Sequence, residues 1–332
     1  MANYTEIDDP SAYFQTALYT GDGNAQTITN DGNSDLQPDW VWISMRSHAD
    51  NKVLFDSVRG VTKRLVSNLN SLEVTVSDMV TAFNSDGFSV GTNSNVTGDG
   101  KTFVGWQWKK TADAGFDIVT ATGTGSAKTI AHSLSAVPHI IISKEKTGSV
   151  NDWTIYHHKN TAAPETDSLI LNETNATADQ NTHWNDTAPT SSVFTVGSGS
   201  VTNRNNSTYV YYLFSEKQGF SKFGSYTGNG SVDATFVNTG FKPAWVMVKK
   251  TSDANNWVIQ DTKRNPRNMM TEFLMANVTD AEGTGLNFDF LSNGFKLKSN
   301  SGGTNTSGAT YVYLAFAGEP LVTSEGVPAT AR

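Results

Sequence analysis

The sequence contains no cysteine, few charged residues and no long hydrophobic run. The absence of cysteine excludes a disulfide scaffold, a thiolate metal site and a cysteine nucleophile. No apolar segment approaches the roughly 20 residues that a membrane-spanning helix needs. Charged residues make up 17% of the 332 positions, against the roughly 25% that is usual in globular proteins.

An excess of positive charge is also missing. The formal net charge is -8 at pH 7, whereas a nucleic-acid-binding surface needs a basic stripe. Residues 1–10 contain neither a basic region nor an apolar stretch, so we expect no signal peptide. We therefore expect a protein that is made in the cytoplasm of a cell and does not bind nucleic acid or insert into a membrane.

Thr, Asn, Ser and Gly take the place of the missing charges. Uncharged polar residues with many glycines favour short strands and turns over helices. The chain is not disordered, because hydrophobic residues make up 37% and aromatic residues 11% of it. Pairs such as Asp86-Gly87 and Asn293-Gly294 stand between short apolar runs and are typical of tight hairpin turns.

One pattern occurs three times along the chain. The motif Thr-Gly-x-Gly begins at Thr20, Thr122 and Thr227, so the period is roughly 100 residues. Each copy continues with an apolar run that follows proline, a second short run, a turn with a Phe-containing strand, and an aromatic closing strand. The first apolar runs are 38–43, 138–142 and 243–248, and the closing strands are 102–108, 208–214 and 310–316.

A period of this length matches a whole β-sandwich domain better than a propeller blade or a solenoid rung. The sequence therefore predicts an all-β protein of three tandem antiparallel, jelly-roll-like β-sandwich domains. The expected segments are an N-terminal arm 1–13, repeats 14–113, 114–218 and 219–320, and a C-terminal tail 321–332. The junctions are short, so we expect the repeats to pack closely.

Two short motifs resemble ligand-binding loops and are interpreted as turns. Gly100-Lys101-Thr102 resembles the end of a phosphate-binding loop, but Asn95 replaces the required glycine and a strand follows instead of a helix. Asn93-x-Asn95-x-Thr97-Gly98 resembles a calcium loop, but Val104 stands where a glutamate ligand is needed. We predict no cofactor.

The histidines are the remaining metal candidates. His132, His139, His157 and His183 all lie in the second repeat and would form a metal site if they converged. His157 and His158 are adjacent, so on a strand they point to opposite faces. Surface or hydrogen-bonded histidines are the favoured interpretation, and we predict no metal site.

No catalytic site can be assigned from the sequence. No catalytic triad can be named. Carboxylates occur in pairs at 165–167 and 280–282, and a pair at the right separation would suit glycoside hydrolysis. Acidic loop residues are usually solvated, so we predict that the protein is not an enzyme and has no catalytic residues.

Aromatic residues are the richest feature. Trp40 and Trp245 occupy matching positions in two repeats and are predicted to pack in the core. Trp184 stands in a polar segment, and Tyr19 and Tyr226 precede the Thr-Gly-x-Gly turns. An aromatic face beside Asn and Asp side chains suits a sugar, so these three residues are the predicted ligand-binding candidates.

Several strings resemble a poorly characterised family of virion proteins from tailed phages of marine bacteria. They are residues 7–16, 36–42, 54–60, 83–88, 222–230, 240–247, 311–316 and 330–332. The resemblance covers nearly the whole chain. It implies a virion-associated structural protein, often described as a tail fibre, and it brings no catalytic residues.

The sequence and the resemblance leave three functions open. The favoured one is a tail fibre or adhesin that contacts a glycan or protein of the host surface. The alternative is a capsid decoration or head-fibre protein, and a polysaccharide depolymerase is less favoured. All three place the protein on the surface of a phage particle among other virion proteins, and such appendages usually form symmetric homo-oligomers.

Overall fold

The computed structural model describes residues 5–233 and 235–328. Strands account for 42% of the chain and helices for 6%. Every pair of named strands in the described part of the chain is antiparallel. The predicted all-β class is therefore confirmed.

The three repeats contain corresponding elements. Repeat 1 comprises β1 (Phe14–Thr20), β2 (Gln26–Ile28), β3 (Trp40–Met45), β4 (Val53–Asp56), β5 (Lys63–Val66), β6 (Val74–Thr75), β7 (Val80–Phe83), β8 (Phe88–Val90), α1 (Ser94–Thr97) and β9 (Thr102–Trp108). Repeat 2 comprises β10 (Phe116–Thr122), β11 (Lys128–Ala131), β12 (Ile140–Glu145), β13 (Thr154–His157), β14 (Asp167–Ile170), β15 (Ala178–Asp179), α2 (Asn181–Trp184), β16 (Val193–Val196), α3 (Ser200–Asn203) and β17 (Thr208–Phe214). Repeat 3 comprises β18 (Ser221–Thr227), β19 (Phe236–Asn238), β20 (Phe241–Lys250), β21 (Val258–Asp261), β22 (Met270–Met275), β23 (Gly283–Leu291), β24 (Gly294–Leu297) and β25 (Thr310–Pro320).

Each repeat is built around one main sheet. The strand order is β1-β9-β3-β4-β5-β6 in repeat 1 and β10-β17-β12-β13-β14-β15 in repeat 2. A small sheet covers one face of each main sheet, formed by β2-β8-β7 and by β11-β16. In repeat 3 the long strand β23 joins both layers into one sheet of eight strands. Every pairing of named strands lies within one repeat.

The central strands read as continuous apolar runs because both of their faces are buried. All six residues of β3 are buried. Val41 and Ile43 point towards the small sheet and pack with Phe88 and Val90. Because successive side chains of a strand alternate between faces, the neighbouring Trp40 and Trp42 point the other way.

That second face of each main sheet contributes to one core that all three repeats share. Trp108 of repeat 1 lies 5.7 Å from both Trp245 and Phe316 of repeat 3, measured between ring centroids. Phe316 also lies 5.7 Å from Phe214 of repeat 2. Only about 10 Å³ of empty space remains between these rings and their neighbours. The repeats thus pack closely, as expected, and share this axial core, while repeats 1 and 2 each also have a smaller core between the main sheet and the small sheet.

The strand register places the arm, the tail and both connections between repeats at one end of the molecule. The outer strands begin opposite the ends of the closing strands, at Phe14–Trp108, Phe116–Phe214 and Ser221–Phe316. The arm, the connections 109–115 and 215–220, and the tail therefore leave the sheets together, at what we call the terminal end. The three Thr-Gly-x-Gly turns lie at the opposite, loop end.

The arm and the tail meet at the terminal end. Ile7 is buried in the axial core, and the Glu6 amide donates to the Gln218 carbonyl at 3.0 Å. The Ser324 amide donates to Asp8 at 2.7 Å. Residues 1–4 of the expected arm and 329–332 of the expected tail lie outside the described residues.

Candidate functional site

The predicted ligand residue Trp184 is part of the hydrophobic interior of repeat 2. It belongs to α2, its side chain is 1% exposed, and its ring lies 6.0 Å from that of Tyr156. A short turn of helix carries it inward because Phe194 and Tyr211 leave an apolar space there. Its prediction as an exposed sugar platform was wrong, since polar neighbours along the chain do not place a tryptophan on the surface.

Tyr19 and Tyr226 also fail as binding platforms. Tyr19 stacks on Phe103 at 5.1 Å, and its hydroxyl donates to the Val96 carbonyl at 2.9 Å. Tyr226 stacks on Tyr311 at 5.0 Å and donates to the Thr304 carbonyl at 2.7 Å. Burial raises the pKa of Tyr226 well above its usual value. These residues occupy equivalent positions and tie the sheets to the turns at the loop end.

Replacing Trp184 should lower the stability of the folded chain without removing a sugar-binding surface. We expect Trp184→Ala to cost about 3–5 kcal/mol, the usual range for deleting a large buried aromatic side chain. The measurement is denaturant unfolding, together with binding to a glycan array at a temperature where the variant stays folded. Phe194→Ala removes a ring from the same core and is the matched control. Loss of binding by the folded Trp184 variant alone would restore the platform hypothesis.

The surface offers almost no aromatic face to a ligand. All eight tryptophans are buried. Among residues 5–233 and 235–328, Phe236 is the one exposed Phe, Tyr or Trp, with 42% of its surface accessible to solvent. Any ligand that the loop end recognises is therefore bound mainly through polar side chains and backbone groups.

The two ligand-loop motifs form ordinary local structure. Asn93 caps α1 by accepting a hydrogen bond from the Asn95 amide at 3.1 Å, and β9 begins at Thr102. The described residues contain no group of three or more metal-binding side chains placed to hold an ion. Three histidines, His139, His157 and His158, and several charged side chains instead lie between the repeats.

Three equivalent backbone hydrogen bonds close the repeats into a ring. The amide of Glu73 donates to the Lys146 carbonyl at 3.1 Å, and that of Thr177 donates to the Thr251 carbonyl at 2.9 Å. The amide of Glu282 donates to the Arg46 carbonyl at 2.8 Å. Each repeat thus contacts both others, with repeat 3 returning to repeat 1. We call these contact regions seams 1–2, 2–3 and 3–1.

Seams 1–2 and 3–1 each bury a carboxylate against a donor of the next repeat. Asp56 accepts a hydrogen bond from the Tyr212 hydroxyl at 2.7 Å. Asp261, at the equivalent position of repeat 3, accepts one from the Trp106 indole at 3.0 Å. Both aspartates are fully buried, so each needs a compensating charge.

An arginine three residues later supplies that charge. Arg59 contacts Asp56 and also Glu73, the latter at 3.1 Å. Arg264 contacts Asp261 at 2.6 Å and Glu282 at 2.9 Å. Seams 1–2 and 3–1 therefore each contain a buried Asp–Arg–Glu cluster whose charges are compensated by ion pairs and hydrogen bonds.

Seam 2–3 has a neutral version of the same arrangement. His157 replaces the aspartate, and Asn160 and Thr177 replace the arginine and the glutamate. The Thr177 hydroxyl donates to the Asn160 side-chain carbonyl at 2.6 Å. Leu314 stands where the other seams have a tryptophan or a tyrosine, so His157 bonds to the Tyr313 carbonyl instead, at 3.2 Å.

A buried lysine crosses each seam near the loop end. Lys144 donates to the Asn70 carbonyl at 3.0 Å, and Lys249 donates to the Thr174 carbonyl at 2.8 Å. Lys52, from a different position of repeat 1, donates to the carbonyl of Asp280 at 3.2 Å. Burial lowers the pKa of all three lysines to about 8.

None of these seam residues was among the predicted site residues. A signal was present, because Asp-x-x-Arg occurs at matching positions, 56–59 and 261–264, and is replaced in repeat 2 by His157 and Asn160. Charged residues at a repeated position within an apolar run indicate a buried ionic contact more often than a solvated loop.

Two clefts open at the terminal end. The larger, of about 720 Å³, lies at seam 2–3 and is lined by Glu6, His139, Glu216, Lys217, Lys222 and Leu321 among others. The second, of about 370 Å³, belongs to repeat 3 and includes Lys242, Lys263, Arg267 and Phe290 in its lining. The larger cleft lies where the arm, the second connection and the tail meet the sheets.

A comparison with known protein families gives a match that covers all three repeats. No curated protein matches the chain. Within residues 5–233 and 235–328, no helix is long and apolar enough to span a membrane. The model of one family, a domain of unknown function, matches residues 9–320, from the arm to the last strand of repeat 3. The chain therefore belongs to the DUF7483 family.

Proposed function

We propose that this chain is a non-enzymatic structural protein on the surface of a tailed-phage particle, namely a tail fibre or adhesin that contacts the host surface. The family resemblance of the sequence supplies the phage setting. In the proposed arrangement the terminal end joins other virion proteins, and the loop end faces outward. The ligand is a glycan or a protein of the host surface, bound by polar loops.

One observation carries this proposal, namely the separation of chain ends from free loops. The arm, both connections and the tail lie at one end of the ring, whereas the three Thr-Gly-x-Gly turns lie at the other. A knob that is attached at one end presents the other end to a target. The buried clusters of the seams keep the loops at fixed spacing, which suits a rigid recognition surface.

The charged clusters of the molecule support a structural role. The carboxylates of Asp56 and Asp261 are buried in ion pairs and hydrogen bonds. Such groups hold elements in register, and they are not presented to a substrate as a general acid and base would be.

The ring also bears on assembly. Each seam is already filled by another repeat of the same chain, so one chain forms the closed threefold arrangement that three copies form in a homotrimer. We propose that a homo-oligomer, if formed, uses the terminal end.

A capsid decoration or head-fibre protein is the second candidate. The scarcity of exposed aromatic residues favours it, because aromatic side chains dominate tight recognition surfaces. Such a protein would use the same terminal end to sit on the capsid lattice.

Cryo-electron microscopy of intact virions distinguishes the two candidates. A tail fibre should occur at a few copies on the tail, and the soluble chain should block adsorption to host cells. A decoration protein should occur at many copies on the capsid, and adsorption should be unaffected. Absence of the chain from purified virions would contradict both.

A further inference from the structure

We propose that acidification opens the ring at seam 2–3 while seams 1–2 and 3–1 stay closed. The proposal concerns the conformation of the ring and is independent of where the protein sits on a particle. It follows from comparing three equivalent seams, of which one is held by neutral histidines and the other two by carboxylate–arginine pairs.

The hydrogen bonds of His157 require a neutral ring. Its Nε2 donates to the Tyr313 carbonyl at 3.2 Å, and its Nδ1 accepts from the Lys159 amide at 3.1 Å. A second proton on Nδ1 would abolish the bond to Lys159 and leave a cation in a fully buried position. Protonation is therefore incompatible with the closed seam.

Two further histidines, His139 and His158, lie beside His157 towards the terminal end. The rings of His139 and His158 lie 4.3 Å apart. His139 Nδ1 accepts from the Glu216 amide at 2.9 Å, and His158 Nε2 donates to the Phe223 carbonyl at 2.6 Å. We call His139, His157 and His158 the histidine clasp. His157 and His158 each donate a hydrogen bond to a backbone carbonyl of repeat 3.

The charges around the clasp act in both directions, so burial decides the protonation state of the rings. Glu216 is the facing carboxylate, at 3.7 Å from His158, but its other oxygen is paired with Lys222 at 2.8 Å. Glu216 favours a positive charge on His139 and His158, whereas Lys159 opposes it on both and Lys222 opposes it on His139. His139 and His158 oppose it on His157, and His139 opposes it on His158. Tyr313, whose carbonyl binds His157, keeps a neutral phenol because burial raises its pKa.

The direction of the pH dependence follows from these surroundings. Burial, reinforced by the neighbouring histidine, lowers the pKa of His157 to about 3, and burial lowers that of His158 to about 4. In an open seam both rings return to a pKa of about 6.5. The open form therefore binds protons first, and the closed form loses stability as the pH falls from about 6.5 towards 4.

The other two seams lack this sensitivity over the same range. They are held by carboxylates paired with arginine, and carboxylates in general stay ionised down to about pH 4. Seams 1–2 and 3–1 contain Asp56 and Asp261 where seam 2–3 contains His157. Acid therefore acts on one seam before it acts on the other two.

Hydrogen exchange read by mass spectrometry tests the proposal on the intact chain. Protection, corrected for the intrinsic pH dependence of exchange, is compared at pH 7 and pH 4.5. We expect peptides of seam 2–3, at 157–160, 221–225 and 311–315, to lose at least about tenfold protection. Equivalent peptides of the other seams, at 56–59, 104–108, 210–213 and 261–264, should change less than about twofold. Loss at all seams together, or at none, would overturn the proposal.

Two variants sharpen the test. In His157→Gln/His158→Gln, amide groups replace the ring donors and do not titrate, so protection at seam 2–3 should survive at pH 4.5. His48→Gln removes an exposed histidine of repeat 1 and should behave as the wild type. Opening of seam 2–3 in a double variant that is folded at pH 7 would overturn the proposal. If the double variant does not fold, the comparison of the three seams in the wild type decides.

Discussion

The isolated third repeat, residues 219–320, is expected to remain unfolded. In the full chain, large side chains of this repeat face the other two repeats, among them Trp245, Trp257, Leu314 and Phe316, each at most 3% exposed. Losing their burial costs about 1.5–3 kcal/mol for each side chain. Four such losses amount to most of the roughly 5–15 kcal/mol of net stability that a domain of this size possesses.

Circular dichroism and thermal unfolding of the fragment measure this directly. The fragment should show no cooperative transition, whereas the full chain should unfold in one step. A chain cut in the connection between residues 218 and 219 is the control, because mixing fragments 1–218 and 219–332 should restore the ring and its transition. A fragment that folds alone with a cooperative transition would show that the repeat is a self-sufficient sandwich, as the sequence first suggested.

Arg59→Met is expected to destabilise the full chain by about 3–5 kcal/mol, the cost of removing one partner from a buried ion pair. The substitution leaves Asp56 fully buried without its cation and deprives Glu73 of a partner. The hydrogen bond from Tyr212 to Asp56 remains, but a neutral donor does not offset a buried negative charge. Denaturant unfolding measures the loss.

Asn160→Ala provides the matched control for the arginine substitution. Asn160 occupies the equivalent position of repeat 2, where its side chain accepts a hydrogen bond from the neutral Thr177 hydroxyl, so we expect a cost near 1 kcal/mol for the lost hydrogen bond. Equal losses in the two variants would show that the buried charge of seam 1–2 is unimportant. A loss below about 1 kcal/mol in Arg59→Met would contradict the proposed role of the Asp–Arg–Glu cluster.

Local sequence patterns predicted the elements of this fold well. Apolar runs such as Trp40–Met45 became central strands, and the Asp86-Gly87 pair became a tight turn between β7 and β8. Gly87 has a φ of +98°, and a Cβ there would lie 2.0 Å from the Ile28 carbonyl oxygen. Such features are local, so a short stretch of chain carries the information.

The candidate binding residues could not be located in the same way. Trp184 and Tyr226 sit among polar neighbours in the sequence, yet both are buried, because burial depends on the layer that packs over a residue. The residues that pack against these rings, such as Tyr156 against Trp184 and Tyr311 against Tyr226, come from other strands. The same holds for the seams, where Asp56 meets Tyr212 across 156 positions of the chain.

The sequence by itself determined the all-β class, the threefold repetition and the scarcity of chemically reactive groups, because composition and periodicity are properties of the chain. Only the tertiary structure decided that the repeats close into a ring with one axial core. It also decided that two seams are ionic and one is held by histidines. The physical reason is that a side chain's burial, partner and charge state depend on residues a hundred or more positions away, which local patterns do not specify.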